Sequence, residues 1–340
     1  MAAIGGSTLT LIDHAKLKDP TGKIARVANV LSQVNDWNEM MHWQESNKDT
    51  CEQITIQTGL PVTSTVKIGE GVTASKPTTA QIQEGFTILE TRNEIYRHLA
   101  IGENLAEFRA TQDRPAMESL KQKAGGLVIY GNASADSTTI NGLAARYSST
   151  SATNGANIVL GGGTTGNQTS IYLVCSHQDG VYMTYPKGTQ AGIEHTDLGL
   201  ITDQNAGGTG KRAEMWSSVF NWRFGLVVKD WRDCVRIPNI QVGEVAGLTG
   251  AQAPTAFTNV LHAVMRAIPR INGPMGRRFI LMNRTTYGLF MRIAAEKSAN
   301  AVTFQESAGQ FGQPGTMRLN IFGIPALICD QIINTESVVS

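Results

Sequence analysis

The chain has 340 residues, enough for one large domain or two intimate ones around a buried core. Its 29 basic and 28 acidic residues leave a net charge of +1, and no Lys/Arg block occurs, which argues against a dedicated nucleic-acid-binding tail. Hydrophobic residues make up 41% and charged residues only 17%, below the rough quarter of average globular chains, which suits surface that meets other protein as well as a neutral β-rich domain.

Cys51, Cys175, Cys234 and Cys329 form no CxxC pair and have no His at metal-ligand spacing. Each lies in or beside an apolar run, so buried thiols made in a reducing cytoplasm are expected. Met1–Thr10 lacks the basic and apolar blocks of a signal peptide. No apolar run approaches the roughly 18 residues of a membrane span, so no membrane partner is expected.

In chain order, residues 1–20 read as a polar arm ending at Asp19-Pro20. Residues 22–43 read as a helix, with Ile24, Val27, Leu31, Val34, Trp37 and Met41 at three- and four-residue steps. Ile54 and Ile56 alternate with polar residues, as do Val62, Val66 and Ile68, and a third β-type run holds Ile82, Phe86 and Ile88. Gly59-Leu60-Pro61 separates the first two runs, and the polar stretch from Gly69 to Pro77 precedes the third, so a projecting hairpin is expected. Residues 103–124 read as two helical stretches, the second capped by Asp113 and stopped by Gly125-Gly126. Leu127–Tyr130 follows as an apolar strand.

Residues 148–169 and 186–212 read as polar, Gly-rich connections. Ile171–Cys175 and Gly180–Thr184 flank His177-Gln178-Asp179 as a hairpin. Met215–Phe220, Phe224–Lys229 and Cys234–Ile237 are β-type runs. Pro254 opens a helix whose face holds Phe257, Val260, Leu261, Val264, Met265 and Ile268, and Pro269 ends it. Phe279–Met282 reads as a buried strand, Asn283–Thr285 as the cap of a helix through Ala294, and residues 300–317 as loop. Leu319–Phe322, Pro325–Cys329 and Gln331–Ile333 close an α+β chain without internal repeats.

No chemical motif assembles. Gly207-Gly208-Thr209-Gly210-Lys211 invites a phosphate-loop reading, but Asn205 stands where the first Gly is needed and Arg212 where Ser or Thr would hold magnesium. Gly161-Gly162-Gly163 with Gly166 leads into a β-type run rather than a helix, so it is no dinucleotide turn. Ser176, His177 and Asp179 could suggest a hydrolase, yet neighbours in one short turn need not face each other. His14, His42, His98, His195 and His262 show no metal spacing. Asp233, Glu90 and Glu94 lie near Arg92, Arg97, Arg232 and Arg236 and read as structural ion pairs. The expectation is no catalytic, cofactor-binding or metal-binding residue.

Several landmarks carry a family resemblance. Gly59-Leu60-Pro61 through Gly69-Glu70-Gly71-Val72, Ser75-Lys76 and Thr78-Thr79-Ala80-Gln81 resemble the extended hairpin of one group of phage capsid proteins. Tyr130-Gly131-Asn132, Asn141-Gly142-Leu143 and Arg146-Tyr147 resemble the segment after their long helix. Arg278-Phe279, Met282-Asn283-Arg284 and Tyr287 resemble a strand–helix step of their apical region. Phe322-Gly323-Ile324-Pro325, Cys329-Asp330 and Thr335-Glu336 resemble their closing strand. In this order, over most of residues 22–337, they resemble the major capsid proteins of tailed double-stranded DNA phages with the Hong Kong 97-like fold, in a short-tailed-phage branch.

The resemblance implies an N-terminal arm at 1–50, an extended-loop hairpin at 51–90 and a peripheral domain with a spine helix at 91–150. It implies a mainly apical region with some peripheral strands at 151–318 and a strand returning to the periphery at 319–340. It further implies a non-enzymatic subunit of an icosahedral virion shell, built from hexamers and pentamers of itself. Trp37, Gly59, Leu60, Pro61, Lys67, Gly71, Val72, Lys76 and Thr78 are its expected intersubunit contacts. Scaffold, portal and cement proteins are further partners it admits, with packaged double-stranded DNA touching the inner surface without sequence specificity. Covalent cross-linking through Lys67 or Lys76 lacks an identifiable Asn or acid partner. A bacterial nanocompartment shell of the same fold and a β-rich phage tail or adhesion protein are the alternatives.

Overall fold

The computed structural model describes residues 33–101, 104–164, 166–206, 210–243, 253–271, 276–295, 302–306 and 317–340. The arm and most of the helix expected before residue 33, and Gly207–Thr209, lie outside the described residues. The strands are β1 (Trp43–Glu45), β2 (Cys51–Gly59), β3 (Thr78–Gly85), β4 (Thr87–Tyr96), β5 (Gln168–Ser176), β6 (Val181–Tyr185), β7 (Ile193–Ala206), β8 (Lys211–Val228), β9 (Cys234–Gln241), β10 (Arg277–Met282), β11 (Val302–Glu306), β12 (Met317–Ile321) and β13 (Ile324–Ile328). The helices are α1 (Trp37–Met40), α2 (Leu105–Tyr130), α3 (Leu143–Arg146), α4 (Ala253–Ala267) and α5 (Arg284–Ala295). The chain divides into two compact units, one holding 88–125 and 192–223, the other 35–87, 126–191 and 224–340.

The larger unit is built on β5. β5 pairs antiparallel with β9 on one side and with β10 on the other, and β10 continues in parallel to β13, then antiparallel to β12 and β11. Every residue of β5 is buried, as expected of a strand covered on both faces. One covering layer is α4 with α5. Val260, Ala263, Val264 and Ala267 recur on one face of α4 and pack with Leu289 and Phe290 of α5 against Ile171, Leu173, Val235, Ile237, Ile280 and Ile321. The N-cap of α5 is Asn283, whose Oδ1 accepts from the Thr286 amide at 2.8 Å. The β12–β13 hairpin turns on Phe322 (φ 52°) and Gly323 (φ 79°), the left-handed pair that a two-residue turn requires.

A buried polar network fastens the last residues to this sheet. Arg236 on β9 and Glu336 form an ion pair at 2.9 Å, with both side chains about 5% exposed. Arg236 also donates to Ser170 Oγ at 3.1 Å and to the Tyr147 carbonyl at 2.8 Å. Glu336 accepts from Ser170 and from the Tyr130 hydroxyl, and its amide donates to the Gln168 carbonyl. Burial, reinforced by Tyr172 and Glu336, holds the Tyr130 hydroxyl well above its ordinary pKa, so it stays a donor. Asn239 and Val339 exchange two hydrogen bonds of 2.8 Å.

The smaller unit holds β4, β7 and residues 211–223 of β8. β7 pairs antiparallel with β8 from Ile193↔Trp222 to Ala206↔Lys211, and β4 also borders β8. Ile95, Leu99 and Phe108 form its apolar cluster. Arg109 clamps Asp197 through both terminal guanidinium nitrogens, donates to Ser218 Oγ and lies 5.6 Å from the Trp216 ring centroid. Those hydrogen bonds, with the Gly199 amide, hold the Asp197 carboxyl below the usual carboxylate range.

Several local expectations are corrected. α2 is continuous through Pro115 and Gly125-Gly126, and Leu127–Tyr130 is its last turn rather than a strand. Leu127, Val128 and Ile129 are all buried, and a short apolar run has the same pattern in a buried helix as in a buried strand. Asp113 is no cap; it accepts from Asn93 Nδ2 at 2.7 Å. The expected connection at 186–212 holds β7, whose side chains are mostly exposed and so lack an apolar pattern. Residues 215–229 are one strand to Val228, not two. β5 and β6 do not form a hairpin: their single register pair, Ser176↔Val181, is parallel, and β6 pairs with β8 and β1. β11 lies in the expected 300–317 loop. Among the described residues, the helix expected over 22–43 is present as α1, and β1 follows where the expected helix would end.

Glu336→Ala leaves the Arg236 guanidinium buried without its counterion. It is expected to lower the unfolding free energy of the unassembled subunit by about 3–5 kcal/mol in urea titration. Replacing both residues with apolar ones of similar volume is expected to cost much less.

Candidate assembly surface

β2 and β3 form a two-stranded antiparallel sheet from Cys51↔Gly85 to Gly59↔Thr78, with a register shift between Gln57 and Gly59. A Cβ on Gly59 would fall within 3.0 Å of the Thr78 hydroxyl, so Gly59 allows the close approach there. Beyond this pair, residues 60–77 have no strand pairing, which corrects the expected Val62–Ile68 strand. Thr58 Oγ1 donates to Thr78 Oγ1 at 3.1 Å, and Ser75 Oγ accepts from the Val62 amide at 2.8 Å. The tip turns at Lys67–Glu70, where Gly69 takes φ 93°.

This loop displays apolar side chains to solvent. Leu60 is 81% exposed, Val62 72%, Val66 44%, Val72 54%, and Ile68 is fully exposed. A folded chain that leaves five aliphatic side chains along one connection has surface suited to another partner. Covering each fully is worth about 1.5–3 kcal/mol before ordering costs.

The base of the hairpin, by contrast, is clamped. Glu84 near the end of β3 is buried and meets Arg146 of α3 in a bidentate pair at 2.7 and 2.8 Å. Arg146 also donates to the Asn141 and Leu226 carbonyls. On β2, Ile54 packs with Tyr182 and Val227, and buried Glu52 accepts from the Tyr182 hydroxyl and the Asn47 amide. Thr87 Oγ1 donates to the Thr138 carbonyl at 2.9 Å. Clamp and display thus occupy opposite ends of one ribbon.

Of the residues expected at intersubunit contacts, Gly59, Leu60, Pro61, Lys67, Gly71, Val72, Lys76 and Thr78 fall together on this loop and its first strand pair. Trp37 does not: it lies in α1 and is buried within its own chain, 2% exposed. Glu84 and Glu52 escaped sequence reading, although two acids in runs otherwise fit for strands were a usable signal. Arg146 appeared only as a landmark.

The catalytic and nucleotide suspicions take concrete form. Ser176 Oγ donates to the Val181 carbonyl and accepts from the His42 amide, so it has no bond to His177. Asp179 pairs with Lys229, whose hydrogen bond and charge hold its carboxyl below the usual range. His177 Nε2 instead lies 3.0 Å from Asp233 Oδ2. The amides of Gly161 and Gly163 donate to the Pro238 and Asn239 carbonyls and are not available to a phosphate. Arg97 pairs with Glu214 and Arg232 with Asp230, while the Arg92–Glu94 contact is a longer 3.6 Å, so these charges serve structure.

Comparison with curated proteins finds no match. Among solved structures, a chain of the near-atomic cryo-EM structure of bacteriophage Epsilon15 is similar at 23% identity, TM-score 0.74, over 100% of this chain and 99% of that one. The bacteriophage JBD30 capsid chain is more distant, at 10% identity and TM-score 0.48 over 95% and 99%. The Epsilon15 likeness agrees with the α+β Hong Kong 97-like fold expected above. A family profile described as "Major capsid protein GP7" matches residues 19–340. The chain belongs to that family of tailed-phage major capsid proteins, structural subunits of the icosahedral virion shell.

Proposed function

We propose that the loop between Gly59 and Thr78 is the reaching element of shell assembly, laid across a neighbouring subunit. The observation that carries this is the contrast between five exposed aliphatic side chains on the loop and the buried Glu84–Arg146 clamp at its base. A fixed base sets the direction of reach, and an unpaired tip leaves backbone donors and acceptors for a partner. Gly59, Leu60, Pro61, Lys67, Gly71, Val72, Lys76 and Thr78 form this surface in the proposal. The arm at 1–50 takes a similar role.

The same reading divides the chain into arm (1–50), extended loop (51–90), peripheral domain (91–150), mainly apical region (151–318) and returning strand (319–340). Hexamers and pentamers are its assembly units. Scaffold, portal and cement proteins are its other protein partners. The near-neutral chain lies against packaged DNA without sequence preference, which the lack of any Lys/Arg block supports. Repeated across a shell, individually weak contacts add up through multivalency.

Deletion of residues 69–77 tests the role directly. Electron microscopy of the expressed protein is expected to show loss of closed particles; normal, stable shells would overturn the proposal. Leu60→Asp with Ile68→Asp is expected to leave subunit stability within about 0.5 kcal/mol, since both side chains are exposed, while closed particles disappear in sedimentation. Arg146→Ala strands a buried Glu84 and is expected to cost about 3 kcal/mol in subunit stability. Hydrogen exchange in β2 and β3 is expected to quicken in that variant.

A further inference from the structure

We propose that Cys175, His177 and Asp233 form a binding site for a borderline divalent transition metal, zinc in the first instance. One ligand atom from each residue lies within 4.8 Å of those of the other two. The β5–β9 register creates this group. Val174 pairs with Cys234, which brings Cys175 and His177 at the end of β5 beside Asp233 in the turn before β9. Sequence spacing alone does not assemble it, because Asp233 joins Cys175 and His177 from a segment more than fifty residues away.

Two glycines make the room. A Cβ on Gly180 would fall within 3.0 Å of both His177 Nε2 and Asp233 Oδ2, and one on Gly276 within 3.0 Å of Cys175 Sγ and His177 Cδ2. Any other residue at either position would crowd the ligand atoms. Cys175 and Asp233 are buried, while His177 keeps 24% of its side chain exposed, which gives an entry side and a place for a fourth, solvent ligand.

The donor set selects the ion. One sulfur, one imidazole nitrogen and one carboxylate oxygen suit zinc or cobalt; calcium and magnesium prefer oxygen throughout. Loading sends the Cys175 proton to solvent and moves the imidazole proton from Nε2 to Nδ1. The Asp179 amide, now 3.2 Å from Nδ1, then exchanges that contact for water. Thiolate and carboxylate together balance the charge of the ion, which must displace the proton of a thiol that burial and the neighbouring Asp233 hold above its ordinary pKa. The bound ion would tie the β5–β6 turn to the start of β9. Without an ion, the His177–Asp233 contact at 3.0 Å serves the same tie more weakly.

The test uses full-length protein, stripped with EDTA and dialysed, then given zinc alone or cobalt alone. About one zinc per subunit is expected to remain after free metal is removed. Cobalt is expected to give a near-ultraviolet thiolate charge-transfer band, absent in Cys175→Ser. His177→Gln changes a partly exposed ring, so it reports even if Cys175→Ser misfolds; it is expected to lower apparent zinc affinity by at least about tenfold. Wild-type protein that retains no zinc and shows no cobalt band overturns the proposal. So does His177→Gln that loads metal as wild type does. Metal loading is read on unassembled subunits, so its failure is separate from failure of the assembly reading.

Discussion

The buried pair of Arg236 and Glu336 is the contact on which the larger unit most depends. It joins a strand of the central sheet to a residue four positions from Ser340. Two charges this deep are tolerated only because their other valences are met by Ser170, Tyr130 and the Tyr147 carbonyl. The result is a tail held as firmly as a strand, although residues 329–340 contain no named strand. Segment 35–36 docks near the same region, with the Asp36 amide donating to the Ile328 carbonyl and Asn35 bridging Cys329. Segments from both ends of the described chain therefore close over one sheet.

That architecture explains why β5 is buried along its whole length and why the hairpin can project. With the core complete around β5, β9 and β10, the β2–β3 ribbon needs only its base for anchorage. Ile54 and Glu52 supply it from one strand and Glu84 from the other. The exposed half leaves Leu60 and Ile68 uncovered by their own chain, which is unusual for such side chains.

Much of the fold was legible wherever one face alone was buried. The α4 face at Val260 and Val264, the Asn283 cap and the alternation around Ile54 all follow period and capping rules. Legibility failed at the two extremes of burial. Leu127–Ile129 are buried on every side and lose periodicity; β7 is exposed on most sides and never had any. At the candidate surface, the loop residues were legible because Gly, Pro and Thr punctuate them. The Glu84–Arg146 clamp was not, because it joins residues 62 positions apart, and no local pattern encodes such a partner. Trp37 shows the converse: its helical spacing marked it as apolar but could not say which molecule it packs into.

The unpaired stretch from Leu60 to Pro77 has one more consequence. Fixing a residue's backbone costs about 1–2 kcal/mol, so a segment without strand pairing gives up part of its docking energy to become ordered. In the proposed role, each single engagement is thereby kept shallow and reversible. A subunit that arrives in the wrong orientation satisfies few contacts and departs quickly; one seated correctly is held by all its neighbours at once. The clamp below the loop preserves its aim through every such attempt. In the proposed role, the missing strand hydrogen bonds are thus a means of error correction during shell growth.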